Sequence, residues 1–139
     1  MCTRIIDVAV ASLLQDPERL ERFENTLWMS TLKSVSGYQM YRQYVRRRMR
    51  GADVLAFLFQ DADFPRSIRH CLWQIEQCMA RLPNGAALTK RLDTLVQTVT
   101  ELTVGELDNA ALHAEVDRFQ VALADLNQQM SDTWFSPQN

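Results

Sequence analysis

The chain has 139 residues, of which 47% are hydrophobic and 23% charged, the balance of one folded domain with a sizeable core rather than a disordered chain. A formal charge of -2 excludes a surface that binds nucleic acid over its whole area, and four Gly with four Pro are too few turn residues for an all-β fold. No apolar run approaches the roughly 20 residues of a membrane helix.

The opening "MCTRIIDVAVASLL" has an apolar run after Arg4, but Asp7 interrupts it and no small-residue cleavage site follows, so it is not read as an export signal. From about Thr3 to Leu14 it is apolar on nearly all sides, which predicts a helix buried between neighbours or at an interface. Asp16 and Pro17 then supply an N-cap and a first helical residue. Leu20, Phe23, Leu27 and Trp28 follow near helical spacing, with Leu32 and Val35 beyond, and Gly37 is expected to end the helix in a left-handed conformation. In "YQMYRQYVRRRMRG", Tyr38, Tyr41, Val45 and Met49 share one side of a predicted helix that Gly51 closes. Arg42, Arg46 and Arg50 climb the other side.

"ADVLAFLFQDADF" predicts a short helix with Val54, Leu55, Leu58 and Phe59 apolar. Pro65 is expected to start the next helix, whose stripe is Ile68, Leu72, Ile75, Met79 and Leu82, before "PNG" stops it. Leu88, Leu92, Leu95, Val99 and Leu102 form the next stripe. Asp108 or Asn109 can cap a last long helix carrying Leu112, Val116, Phe119, Leu123, Leu126 and Met130. The expectation is one all-α domain over residues 1–139, a bundle of six to seven helices with mostly antiparallel neighbours.

Five arginines lie between Arg42 and Arg50, with Tyr41 and Tyr44 nearby. Such a face either pairs with acids of a neighbouring segment or meets an acidic partner through Arg42, Arg46 and Arg50; nucleic acid is the lesser alternative. In "DADFPRSIRHCL", Arg66, Ser67 and Arg69 surround a helix start, where unpaired N–H groups attract anions. Asp61 and Asp63 can occupy the same positive end themselves, and for the residues alone that structural reading is preferred. Phe64 before Pro65 reads as a hydrophobic plug. Cys2, Cys71 and Cys78 are odd in number without CxxC spacing, which supports neither disulfides nor zinc; Cys71 and Cys78 are expected to be buried, inert thiols in a cytoplasmic protein. His113 is expected on a surface face, no Glu-x-x-His pairing appears, and no nucleotide, zinc-protease or hydrolase motif is present. No cofactor, metal or catalytic set is therefore expected.

"WMSTLKSVSGYQMYRQY", "VLAFLFQDADFPRSIRHCLWQIEQCMARLP" and "LHAEVDRFQVALADLNQQMSDTWF" resemble, in order, the C-terminal half of the alpha-E domain family, from about Trp28 to Phe135. The middle block is the most specific, through Phe57, Leu58, Asp61, Phe64, Pro65, Arg66, Ser67, Ile68 and Arg69. The resemblance implies a bacterial all-helical protein of undefined activity, in a family named for a Glu-Arg motif in its N-terminal half. "LERFENT" stands immediately before Trp28, out of the family's order, so no family role is carried onto Glu21 or Arg22.

The resemblance further implies company with ATP-grasp and transglutaminase-like proteins, hence an accessory role in forming or modifying peptides. A chain lacking half of a bundle is expected to cover exposed helix faces by forming a homodimer or docking on a partner protein, with Ile5 to Leu14 as the candidate patch. The alternatives are a ligase or transferase component with an anion site at residues 61–70, and nucleic-acid contact through residues 42–50.

Overall fold

The computed structural model describes residues 2–15 and 17–136, with side chains described for 3–12 and 23–136. The described residues form α1 (Cys2–Gln15), α2 (Pro17–Ser34), α3 (Tyr38–Tyr44), α4 (Gly51–Gln60), α5 (Ile68–Met79), α6 (Ala86–Glu101), one 3-10 turn (Val104–Glu106) and α7 (Asn109–Trp134). No strand occurs among them. The all-helical bundle expected from the apolar periodicity is what the chain forms.

The core gathers around α4, which buries Val54, Leu55, Phe57, Leu58 and Phe59 and touches α2, α5, α6 and the 3-10 turn. A helix apolar on nearly every side has to be enclosed by its neighbours, and this one is. The same expectation for α1 holds only in part. Ile6, Ala9 and Val10 enter the core between α2 and α7, whereas Val8 is 66% exposed. Leu13, Leu14, the Asp16 cap and Leu20 lie outside the described side chains.

In α2, Trp28, Thr31 and Leu32, with Val35 just past its end, repeat at helical spacing and are buried; Thr31 hides its hydroxyl by donating to the Leu27 carbonyl at 2.9 Å. α6 presents Leu88, Leu92, Leu95 and Val99 to the core, and α7 presents Leu112, Val116, Phe119 and Leu126. Asp108 caps α7 by accepting from the Ala111 N–H at 2.7 Å. The Trp134 indole donates to the Pro83 carbonyl at 2.8 Å and ties the end of α7 to the α5–α6 connection.

Three boundaries differ from the sequence expectation. α2 ends in a Schellman turn in which the Gly37 N–H donates to Leu32 (2.8 Å) and the Ser36 N–H to Lys33 (3.0 Å). The left-handed residue is Ser36, at φ 56, rather than Gly37. Gly37 is required for space instead, because a Cβ there would lie 2.8 Å from Phe64 Cζ. Second, α3 stops at Tyr44, so Arg42 alone of the three expected arginines stands on a helix. Arg46 and Arg50 lie on the connection before α4, and Gly51 opens α4 rather than closing α3. A helical 42–46–50 ladder stacks like charges at four-residue steps, and the extended path relieves that repulsion. Third, α5 begins after Ser67, not at Pro65, and ends at Met79 short of Leu82.

Candidate functional site

The connection from α4 to α5 is an elbow built almost entirely from side-chain bonds to backbone. Asp61 Oδ1 accepts from the N–H groups of Asp63 (2.9 Å) and Phe64 (2.7 Å), the local turn that aspartate forms before a helix. Phe64 thereby turns inward, where it is buried and stacks on Phe57 with ring centroids 4.7 Å apart; Phe57 in turn meets Tyr41 edge-on. The expected hydrophobic plug is present.

Ser67 is the N-cap of α5 and is fully buried. Its hydroxyl donates to the Asp61 carbonyl at 2.5 Å and accepts the His70 N–H at 3.0 Å. Arg66 donates from Nη1 to the Val35 carbonyl at 2.8 Å, joining the elbow to the end of α2. Arg69 donates to the Gln60 carbonyl at 3.2 Å, while the Gln60 amide bonds the Val99 and Leu102 carbonyls at the end of α6. His70 Nδ1 lies 2.8 Å from the Ala62 carbonyl, so that nitrogen carries a proton; in the neutral ring Nε2 is then the acceptor for the Gln74 amide at 3.1 Å. α2, α4, α5 and α6 are pinned together at this one turn.

The three residues considered for one anion are therefore set apart. Ser67 has both hydroxyl roles used inside the protein. Arg66 opens onto a cleft of about 180 Å³ lined with Ile68, Cys71, Leu72, Ile75 and Phe119. Arg69 opens onto a different cleft of about 410 Å³, shared with Asp63, His70, Trp73, Glu76 and Val96. Neither cleft includes Arg42 or Arg46.

The arginine segment has its own local logic. Arg47 pairs with Asp53 Oδ1 at 2.6 Å across the start of α4, while Arg42, Arg46, Arg48 and Arg50 are exposed. Beneath them the Tyr41 ring is fully buried; neither its hydroxyl nor Asp53 Oδ2 makes a well-formed hydrogen bond, the Arg50 backbone giving the hydroxyl only a weak one. Burial pushes the Tyr41 pKa up from its usual 10.0; the Asp53 charge adds to this, and the Arg50 backbone with Arg47 and Arg42 opposes it.

Two features were not readable from the chain order. His113 Nδ1 lies 3.3 Å from Asp7 Oδ1, linking α7 to α1 across residues far apart in sequence. Cys71 and Cys78, expected to be buried, are both exposed free thiols. They flank the apolar stripe of α5 on its outer sides, and Cys71 Sγ reaches the Pro65 carbonyl at 3.6 Å. No cluster of metal-ligating side chains occurs among the described residues, and no described helix is long and apolar enough to cross a membrane.

Comparison with known proteins yields one family, described as "a predicted alpha-helical domain with a conserved ER motif", which matches residues 1–135. The similarity thus reaches back through α1 and α2, beyond the span from Trp28. The pairs Glu18–Arg19 and Glu21–Arg22 of α2 fall inside it, though their side chains lie outside the described ones. No curated protein and no solved structure matches the chain.

Proposed function

From the premise that this chain belongs to the Alpha-E family, a helical domain of undefined activity, we propose that it is a non-catalytic interaction module, an accessory subunit that acts by contact. One observation carries the reading. The hydrogen-bonding groups of Asp61, Arg66, Ser67, Arg69 and His70, in the block most specific to the family, bond the protein's own backbone and fix four helices at one elbow. That use is architectural: it sets the angle at which outer faces are presented.

The faces themselves suit contact. Val8 stands exposed beside a groove of about 380 Å³ between α1 and α2, lined by Ile5, Ala9 and Leu27. On another part of the surface Arg42, Arg46 and Arg50, with exposed Arg48 and Tyr44, offer positive charge to an acidic partner. The partner is a second copy or another protein, and by the resemblance drawn from the sequence we assign it to the ATP-grasp or transglutaminase-like proteins of a cytoplasmic peptide-forming or peptide-modifying system.

Light scattering of the purified chain, alone and mixed with such a partner, tests this. The expected result is a dimer or a defined complex that Val8→Asp or the triple change of Arg42, Arg46 and Arg50 to Glu weakens at least tenfold. A chain that stays monomeric with every partner tried, and binds no dye specific for apolar patches, overturns it.

A further inference from the structure

The cleft of about 410 Å³ between the elbow, α5 and the middle of α6 is not explained by the elbow's own bonding. Its size falls within the range of clefts that hold a ligand or a partner's side chain. Trp73, one of the largest apolar side chains, lines it while remaining 51% exposed. The His70 ring, its centroid 5.6 Å from that of the indole, is held in place by Ala62 and Gln74 and steadies the indole from one side.

The charges around this indole do not balance. Asp63 and Glu76 line the cleft, and among the described residues neither carboxylate has a hydrogen-bond or ion-pair partner. Arg69 is the one cation in the lining, and it is directed to the Gln60 carbonyl. With His70 in its neutral hydrogen-bonding arrangement, the lining carries one surplus negative charge. Glu76 is partly buried beside Trp73, and its unpartnered carboxylate is available to an incoming cation. An indole face attracts that cation as well.

We infer that this cleft receives a basic side chain, arginine or lysine, from a peptide segment of a partner protein, seated against Trp73 between Asp63 and Glu76. The inference rests on the reading of the chain as an interaction module and supplies the chemistry of one contact. Arginine fits best, because its planar guanidinium can stack on the indole while its N–H groups reach both carboxylates.

Calorimetric titration of the full chain with a hexapeptide, blocked at both termini and carrying two arginines, tests the assignment. A hexapeptide with two glutamates in their place and ethylguanidine are the other two arms. The basic peptide is expected to bind saturably, to weaken as salt rises, and to lose at least tenfold in affinity with Trp73→Ala and with Glu76→Gln. Both side chains are on the rim of the fold, and an unchanged helical circular-dichroism spectrum shows that the variants are intact. No heat from the basic peptide, equal affinity for Trp73→Ala, or preference for the acidic peptide each overturns the assignment. Ethylguanidine binding as tightly as the peptide overturns it too, since the cleft would then serve a free small cation. If the basic peptide fails while the chain still dimerises or holds a protein partner, the cleft assignment falls alone; if both fail, the interaction reading falls with it.

Discussion

Replacing Ser67 by alanine removes one oxygen and disturbs two backbone groups. The His70 N–H, 3.0 Å from that oxygen, loses its cap, and the Asp61 carbonyl, 2.5 Å away, loses its donor. Loss of an N-cap costs about 1 kcal/mol, and an acceptor left unsatisfied in a buried place costs roughly 1–3 kcal/mol. Ser67 has 0% exposure, so water cannot easily replace the hydroxyl without opening the turn. The sum, about 2–4 kcal/mol, corresponds to a fall in melting temperature of roughly 6–15 °C for a chain of this size. Urea unfolding followed by far-ultraviolet circular dichroism, with the slope checked against wild type, measures it directly. If Ser67 instead served mainly as a ligand for an external anion, the midpoint would stay within about 0.5 kcal/mol of wild type and phosphate would no longer stabilise the variant. That result would refute the elbow reasoning.

Gly37→Ala is expected to destabilise by about 1–3 kcal/mol in the same assay, because its new Cβ lies 2.8 Å from the stacked Phe64 ring and neither ring can simply swing away. Asp108→Ala should cost about 1 kcal/mol through loss of the α7 cap. Tyr41→Phe should leave neutral-pH stability unchanged or raise it by up to about 1 kcal/mol, since the buried hydroxyl it removes makes no well-formed hydrogen bond. The Tyr41 pKa is raised in the folded state, so the folded chain holds that proton more tightly than the unfolded one. The group has no effect on the pH dependence well below its usual 10.0, and its ionisation lowers stability as pH rises beyond that value; unfolding curves of Tyr41→Phe should lack this component.

Sequence periodicity was a good guide where apolar residues recur without interruption. The stripes of α6 and α7 and the cap at Asp108 follow from side-chain spacing and a local hydrogen bond, and both are properties of neighbours in the chain. The boundaries that shifted depended on contacts made elsewhere. Sequence alone suggests a backbone role for Gly37, yet Phe64, far along the chain, is what forbids a side chain there. α5 begins after Ser67 rather than at Pro65 because the Ser67 hydroxyl, held by its bond to the Asp61 carbonyl, caps the helix by accepting the His70 N–H. The arginine run kept helical spacing on paper, but Arg47 turns to Asp53 and the four remaining arginines separate in water.

The candidate site was legible in its residues and not in its grouping. Arg66 and Arg69 are only three positions apart, but adjacent turns of backbone send them to different clefts. In the sequence Trp73 and Glu76 each read as an ordinary helical surface residue. Their significance lies in Asp63 and Val96, which the fold brings beside them. The Asp7–His113 pair likewise has no signature in sequence.

Amide hydrogen exchange at Phe64 and His70, resolved residue by residue, is the most direct test that the Asp61–His70 block serves the protein's own architecture. The two N–H groups are bonded to Asp61 Oδ1 at 2.7 Å and to Ser67 Oγ at 3.0 Å, so both should be strongly protected and insensitive to added phosphate. Exchange at the rate of an unstructured chain, or protection that arises only when phosphate is present, would contradict the account.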